Sequence, residues 1–363
     1  MARTVAVAVG LVLALVLAGR VASRQFGPSL PPSTSPSRSA TTATGTTAAS
    51  GPSTSTARSA AAVVAMIPVG PGATQVTVGA GGVWVAVWDA GKVVRVDPAT
   101  NRIVARIPVG RPQESPIAIA AAAHAVWVID FGDAAVLRID PATNRVAARI
   151  PVHGGAGGIG VGAGAVWVTS GEGGDQRHGW VQRIDPARGR VAATIGIPGG
   201  LLWDLAIDGA SVWVGSELGG LWRIDARTSR VTTIRKPGTS DPATAAGGTG
   251  HLAAGAGSVW AGRDGQLERR DARSGRVVAT IPWADGSRAA RGAVGAGAVW
   301  FSAGQELARF DATANRLVAT VPAEPSAGAT TLSDIAGVAA GAGAVWALSG
   351  ESLVRIDPDR VTR

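Results

Sequence analysis

The chain has 363 residues, 34 of them basic and 25 acidic, and no cysteine, which excludes disulfides, thiol nucleophiles and thiolate metal sites. Five of the basic residues, Arg3, Arg20, Arg24, Arg38 and Arg58, fall in the first sixty positions, where there is no acid; the other 29 face 25 carboxylates. The net charge of +9 is therefore mostly a property of the N-terminal segment, and nucleic acid is not an expected partner.

Val5 to Ala18 is an unbroken run of apolar and small residues behind Arg3 and ended by Arg20. It has the length of a signal-peptide core and falls short of the ~20 residues of a comfortable membrane span. Residues 1–26 are read as a signal peptide or an uncleaved signal-anchor, and the two readings stand side by side. Without a cysteine, a lipid-modified anchor is excluded. Residues 27–60 are almost all Ser, Thr, Pro, Ala and Gly. Such a tract lacks the apolar area that folding needs and reads as an extended linker. The expected location is extracytoplasmic, secreted or held at the cell membrane through the N-terminal segment alone.

From residue 61 onward one pattern recurs: an apolar stretch ending in Val-Trp, then Arg-Ile-Asp or a variant, then a polar turn, then a strand ending in Ile-Pro. The tryptophans are Trp84, Trp127, Trp167, Trp213, Trp260, Trp300 and Trp346, and the aspartates Asp97, Asp140, Asp185, Asp225, Asp271, Asp311 and Asp357. The period of about 44 residues suits one four-stranded propeller blade. Residues 61–363 are thus expected to be all-β, a seven-bladed β-propeller of four-stranded blades. In blade two, Pro116–Ala120 is expected as the innermost strand, Val126–Val128 as the second, Val136–Asp140 as the third and Val146–Pro151 as the outer one. One outer-strand copy, Val63–Val69, precedes the first Val-Trp, and only six residues follow Asp357. The N-terminal strand should therefore join the last blade and close the ring, leaving no unpaired edge there. The repeated tryptophans are read as packing between blades, the aspartates as turn caps, and the arginines before them as strand-face residues with apolar stems. No helical segment is evident.

Function is sought where the repeat breaks. Strand order puts the loops between second and third strands on the same face as the crossings between blades. Blade three carries an insertion there within residues 170–179, and the crossing into blade five is long, 237–251. Five tryptophans lie outside the repeat; Trp222 takes a third-strand core position, whereas Trp88, Trp180, Trp203 and Trp283 fall at or beside the loops of that face. With Asp89, Glu172, Asp175, Asp204 and Asp285 they are candidates for a sugar or peptide site at the ring mouth; the alternative is that these rings only plug the channel or pack loops. Of the four histidines, His124 lies on the opposite face and His153 in a blade crossing. His178 and His251 join the candidate set, His178 in the insertion and His251 at the entry to the innermost strand of blade five. None has a recognisable metal-ligand spacing.

The segments Arg138-Ile139-Asp140-Pro141-Ala142-Thr143-Asn144-Arg145, Ala148–Val152 and Val161–Val168 resemble the bacterial YVTN-type repeats and the neighbouring virginiamycin B lyase-like (streptogramin lyase) propellers. The resemblance runs from Val63 to the C-terminus and implies a seven-bladed ring, often extracytoplasmic. Its lyase branch implies a magnesium-assisted elimination that opens a cyclic depsipeptide ester, with a histidine base and carboxylates on late blades. No histidine follows His251 and no Glu-x-His pair occurs, so no catalytic residue carries over. The leading expectation is a non-enzymatic ring, closed on itself and monomeric, binding an unknown ligand or surface protein on the face with the blade-three insertion. No cofactor or metal is expected; magnesium enters only under the alternative of a carbon–oxygen lyase, and a structural envelope spacer is a third reading.

Overall fold

The computed structural model describes residues 62–171, 178–200, 202–216, 219–236, 251–263, 266–282, 289–303, 306–322 and 335–361. The leader (1–26) and linker (27–60) lie outside them, as do Glu172, Asp175, Trp283 and Asp285. The chain opens with β1 (Val63–Pro68) and then lays down blades in order. Blade one is β2 (Ala73–Gly79), β3 (Gly82–Val87), β4 (Lys92–Asp97) and β5 (Arg102–Pro108); blade two is β6 (Ala118–Ala121), β7 (Val126–Asp130), β8 (Ala135–Asp140) and β9 (Arg145–Pro151). Blade three is β10 (Ala156–Gly162), β11 (Ala165–Gly171), β12 (His178–Asp185) and β13 (Arg190–Pro198); blade four is β14 (Leu202–Asp208), β15 (Ser211–Ser216), β16 (Leu221–Asp225) and β17 (Val231–Arg235). Blade five is β18 (Leu252–Gly255), β19 (Ser258–Arg263), β20 (Gln266–Asp271) and β21 (Val277–Pro282). Blade six is β22 (Ala289–Gly295), β23 (Ala298–Ala303), β24 (Glu306–Asp311) and β25 (Arg316–Pro322); blade seven holds β26 (Ile335–Gly341), β27 (Ala344–Ser349) and β28 (Ser352–Ile356). Its fourth strand is β1, which runs antiparallel to β28 with Met66 opposite Val354 and Ile67 opposite Leu353. The first strands of successive blades pack on one another all the way round, from β2 on β6 to β26 on β2, so the seven antiparallel sheets form a closed ring. This is a seven-bladed β-propeller.

Local chemistry explains why the pattern becomes strands. The turn from first to second strand uses Ala80-Gly81, Ala163-Gly164, Ala256-Gly257, Ala296-Gly297 and Ala342-Gly343, with φ of +49° to +53° at the alanines and +69° to +74° at the glycines. Two consecutive positive φ values match the twist of a tight hairpin. The alanines sit in the left-handed region as well as the glycines. Each third strand ends at the repeated aspartate or, in blade seven, one residue before it, and the aspartate carboxylate accepts backbone N–H groups two or three residues on, as Asp97 does from Ala99 at 2.8 Å and Asp225 does from Thr228 at 2.8 Å. All seven aspartates cap in this way.

The repeated tryptophans are at most 1% exposed. Trp84 of blade one packs with Ile119, Val126 and Val128 of blade two, and Trp127 with Ile159, Val166 and Val168 of blade three, so each ring fills the seam to the next blade. Five of the repeated arginines, Arg95, Arg183, Arg269, Arg309 and Arg355, stack on those rings, Arg95 at 4.8 Å from the Trp84 centroid and Arg355 at 5.5 Å from that of Trp346. Their guanidinium groups then reach across the seam. Arg95 donates to Pro141 O at 2.6 Å and Asn144 Oδ1 at 2.8 Å; Arg355 donates to Pro98 O and Asn101 Oδ1, both at 3.0 Å. Arg269 does the same to Ala312 O and Asn315 Oδ1. Asn101, Asn144 and Asn315 have positive φ, so one residue shapes its own turn and anchors the preceding blade. Arg138, Arg183 and Arg223 face turns with Gly189, Ser229 and Gly275 at that position, and no hydrogen-bond acceptor meets them among the described residues.

Two details depart from expectation. The innermost strand of blade two is Ala118–Ala121 instead of Pro116–Ala120, because Pro116 has no N–H to give to the ladder. Short 3-10 turns occur at Trp88–Ala90 and Pro358–Arg360. The second seals the ring: Asp357 N donates to Ala62 O at 2.9 Å, and Arg309 holds Pro358 O and Val361 O.

Candidate functional site

One register of the innermost strands runs around the mouth of the central channel. It is the position facing the residue two places after each repeated tryptophan. Gln75 faces Ala86, Ala118 faces Ile129, Asp204 faces Gly215 and Gly337 faces Leu348. Gly158, whose N–H reaches Thr169 Oγ1, His251, whose carbonyl meets Gly262 N, and Arg291, whose N–H reaches Ser302 Oγ, complete the circle. Several inner strands bulge just before this level, as between Leu202 and Asp204 and between Ala289 and Gly292. Side chains there turn towards the next blade. Gln75 Oε1 accepts from Ile119 N at 2.7 Å, and Asp204 Oδ2 accepts from Leu252 N at 2.9 Å, two equivalent links between adjacent inner strands.

Blades four, five and six therefore bring Asp204, His251 and Arg291 to one level. Asp204 is held by Leu252 N and, through Oδ1, by Leu205 N at 2.8 Å. His251 Nδ1 lies 3.7 Å from Asp204 Oδ2, too long for a hydrogen bond and close enough to feel the charge. That nitrogen is buried without a partner, while a quarter of the side chain is exposed. Burial lowers the His251 pKa below its ordinary 6.5, the Arg291 guanidinium lowers it further, and Asp204 opposes both. The imidazole is thus neutral at pH 7. Trp203 sits in the bulge beside Asp204, half-buried, with its Nε1 enclosed and unpartnered. It lies against Gly157, where a Cβ would approach Trp203 Cε3 to 3.3 Å.

The other described candidates are spread along the same face. Trp88, at the β3–β4 loop, is half-buried and tilted against Phe131 at 6.5 Å. Asp89 is exposed and folds over Gly72, a residue at φ +74° whose added Cβ would come within 2.4 Å of the Asp89 carboxyl carbon. His178 opens β12 opposite Pro198 and is exposed. Trp180 is half-buried and stacks on His153 at 5.9 Å with an interplanar angle of 20°. The structure brings Asp204 and His251 together, while the Trp203 ring lies over Gly157 of blade three. It leaves His178 on a third strand of blade three, two blades from His251. Trp222 is fully buried, as its register implies.

Several polar residues of this face were missed. Arg291 stands on the innermost strand of blade six, away from the periodic arginines, and only its register places it beside His251. Gln182, 3% exposed, accepts from His153 N at 2.7 Å and fixes the crossing into blade three. Asp130, 1% exposed, shares the Arg149 guanidinium with Asp133, each at 2.8 Å. Asp130 ends β7 and Gln182 lies inside β12; at both columns other blades carry different residues, and comparing copies of the repeat column by column is the signal that finds them.

No family model matches the chain and no curated protein matches its sequence. Solved structures do. A streptogramin B lyase aligns over 81% of this chain and 95% of its own at 16% identity, with TM-score 0.63. Hydrazine synthase of Kuenenia stuttgartiensis aligns over 79% and 96% at 14% identity, with TM-score 0.62, and U3-55K over 79% and 95% at 11% identity, with TM-score 0.65. The likeness is one of fold. That fold serves enzymes and binding proteins alike, so function has to be argued from this chain's own surface.

Proposed function

We propose that this propeller is a non-enzymatic, extracytoplasmic binding module, secreted or tethered by its N-terminal segment, that takes a ligand or protein partner on the face of the blade-three insertion. One observation carries the reading. The seven repeated tryptophans and Trp222 are at most 1% exposed, whereas Trp88, Trp180 and Trp203, which break the repeat, are all partly exposed and all at that face. Partly exposed indoles beside carboxylates supply the rigid contact area of sugar and peptide recognition. Thermal denaturation of the full chain against glycans, cell-wall fragments and peptides is the test. A ligand-dependent rise in Tm, lost in Trp180→Ala or Trp203→Ala, is the expected result. A rise that survives Trp88→Ala, Trp180→Ala and Trp203→Ala alike would overturn the reading.

The Asp204–His251 pair favours a second reading, a metal-assisted lyase on a cyclic depsipeptide. Incubation with magnesium and a streptogramin-type depsipeptide, followed by mass spectrometry, separates the two. Loss of the intact ester that depends on His251 would replace the binding reading.

A further inference from the structure

The channel-mouth register carries charged side chains on one side only; on the other side blade one places the neutral Gln75, whose Oε1 is taken by Ile119 N. Blades three and seven contribute Gly158 and Gly337 and blade two only the Ala118 methyl, so little side-chain bulk opposes Asp204, His251 and Arg291. These groups are unequally used. Both Asp204 oxygens accept backbone N–H groups, so the carboxylate is already solvated by the fold. Arg291 is half-buried and its guanidinium meets no hydrogen-bond acceptor among the described residues. His251 is held as the neutral imidazole, with one nitrogen towards Asp204 and the ring reaching the solvent. Gln75 and Asp204 use the same register to tie one inner strand to the next; an arginine there, being only a donor, cannot accept the next strand's N–H. Arg291 therefore cannot make the link that Gln75 and Asp204 make, and its donors meet no acceptor among the described residues.

From this arrangement we infer that the channel mouth at blades four to six binds a small organic carboxylate, with Arg291 as the anion fork and His251, beside Asp204, as a further hydrogen-bonding partner. A planar guanidinium matches a carboxylate in two parallel hydrogen bonds, and a neutral histidine adds a third without a competing charge. The inference rests on the loop-face reading above and narrows it to one ligand class.

The test uses the full-length protein with acetate, succinate and benzoate as probes, and inorganic phosphate and methylammonium for comparison. Binding is followed by calorimetry and by NMR titration of the four histidines, His251 being assigned by His251→Gln. Succinate and benzoate should bind more tightly than phosphate, raise the His251 pKa on binding, and lose at least ten-fold in affinity in Arg291→Gln. That variant should keep its Tm, and its free His251 should titrate at higher pH because the depressing charge is gone. Equal affinity in wild type and Arg291→Gln, tighter binding of phosphate or methylammonium, or a His251 pKa unmoved by every carboxylate would each overturn the assignment. A ligand whose binding depends on Trp180 and not on Arg291 would overturn it while leaving the loop-face reading standing.

Discussion

The repeated arginine, tryptophan and asparagine act as one unit across each seam, and the unit is present at some seams and absent at others. Arg95 stacks on Trp84 and binds two oxygens of the next blade, so Arg95→Ala should cost about 2 kcal/mol, the sum of a cation–π contact and charged hydrogen bonds. Arg138→Ala, where the facing turn carries Gly189, should cost well under half of that; equal losses in denaturant unfolding would show that the clamp carries nothing. The aspartate caps act together with pH. The pKa values of Asp140, Asp185, Asp225, Asp271 and Asp311 are all lowered from the ordinary 3.8, chiefly by hydrogen bonds from their own turns. A depressed carboxylate pKa adds stability that is complete above 3.8 and lost as pH falls through the folded value. His251 works in the same direction over a higher window, opening below 6.5. The Tm should therefore decline gently between pH 6.5 and 4 and steeply below 4. His251→Gln should flatten only the upper part; a decline unchanged by that substitution would contradict the buried neutral imidazole. At this scale the caps and the packing tryptophans were legible in the sequence, because both repeat. The left-handed alanines and the second role of the asparagines were not, since neither a φ angle nor a partner in the next blade leaves a local mark.

At the scale of elements, the seam between blades four and five lacks the arginine–asparagine clamp and carries an ionic one instead. In β20, Arg270 stands where other third strands place Val96, Ile139, Ile184, Ile224, Phe310 or Ile356, and it is 9% exposed. Glu268 binds it at 2.9 Å and meets Arg235 of β17 at 3.4 Å, and Arg270 also donates to Gly275 O at 2.8 Å. Removing one partner of a buried network strands the other charge, so Glu268→Ala should cost about 3 kcal/mol. Replacing both, as Glu268→Leu with Arg270→Ile, should recover most of that loss by the same argument, since only Arg235 then loses the carboxylate and it keeps Gly219 O. A double variant as damaging as the single one would mean the charges do more than satisfy each other. The closing strand offers the simplest test of the ring. Ile67 and Val69 are each 6% exposed within the blade-seven core, so deletion of residues 61–70 should lower the Tm sharply. The closure was legible because the repeat leaves one strand over at the front. The ionic seam was not, since Arg269-Arg270 reads as a surface pair until its register is known.

For the molecule as a whole, the ring is a scaffold whose regular parts serve stability and whose irregular parts gather on one rim. The architecture was readable at the outset because a single period of apolar and turn residues runs through it. The mouth was readable only in part: Asp204 and His251 stood out where the repeat breaks, while Arg291 gained meaning from a neighbour forty positions away. Closure by β1 also orders events in time. Val63 pairs with Ile356, so the strand made first finds its place only after nearly the whole propeller has been made. At the usual ~5–20 residues per second of synthesis, that interval is about 15–60 s. Throughout it β1 is an apolar strand with no edge to join, and blade seven, when it emerges, has three strands and an open side. A nascent chain caught in that interval has two complementary edges to offer, one at each end. Its neighbour on the same message has them too, so the step that seals one ring is the same step that, between two chains, would exchange closing strands and link them.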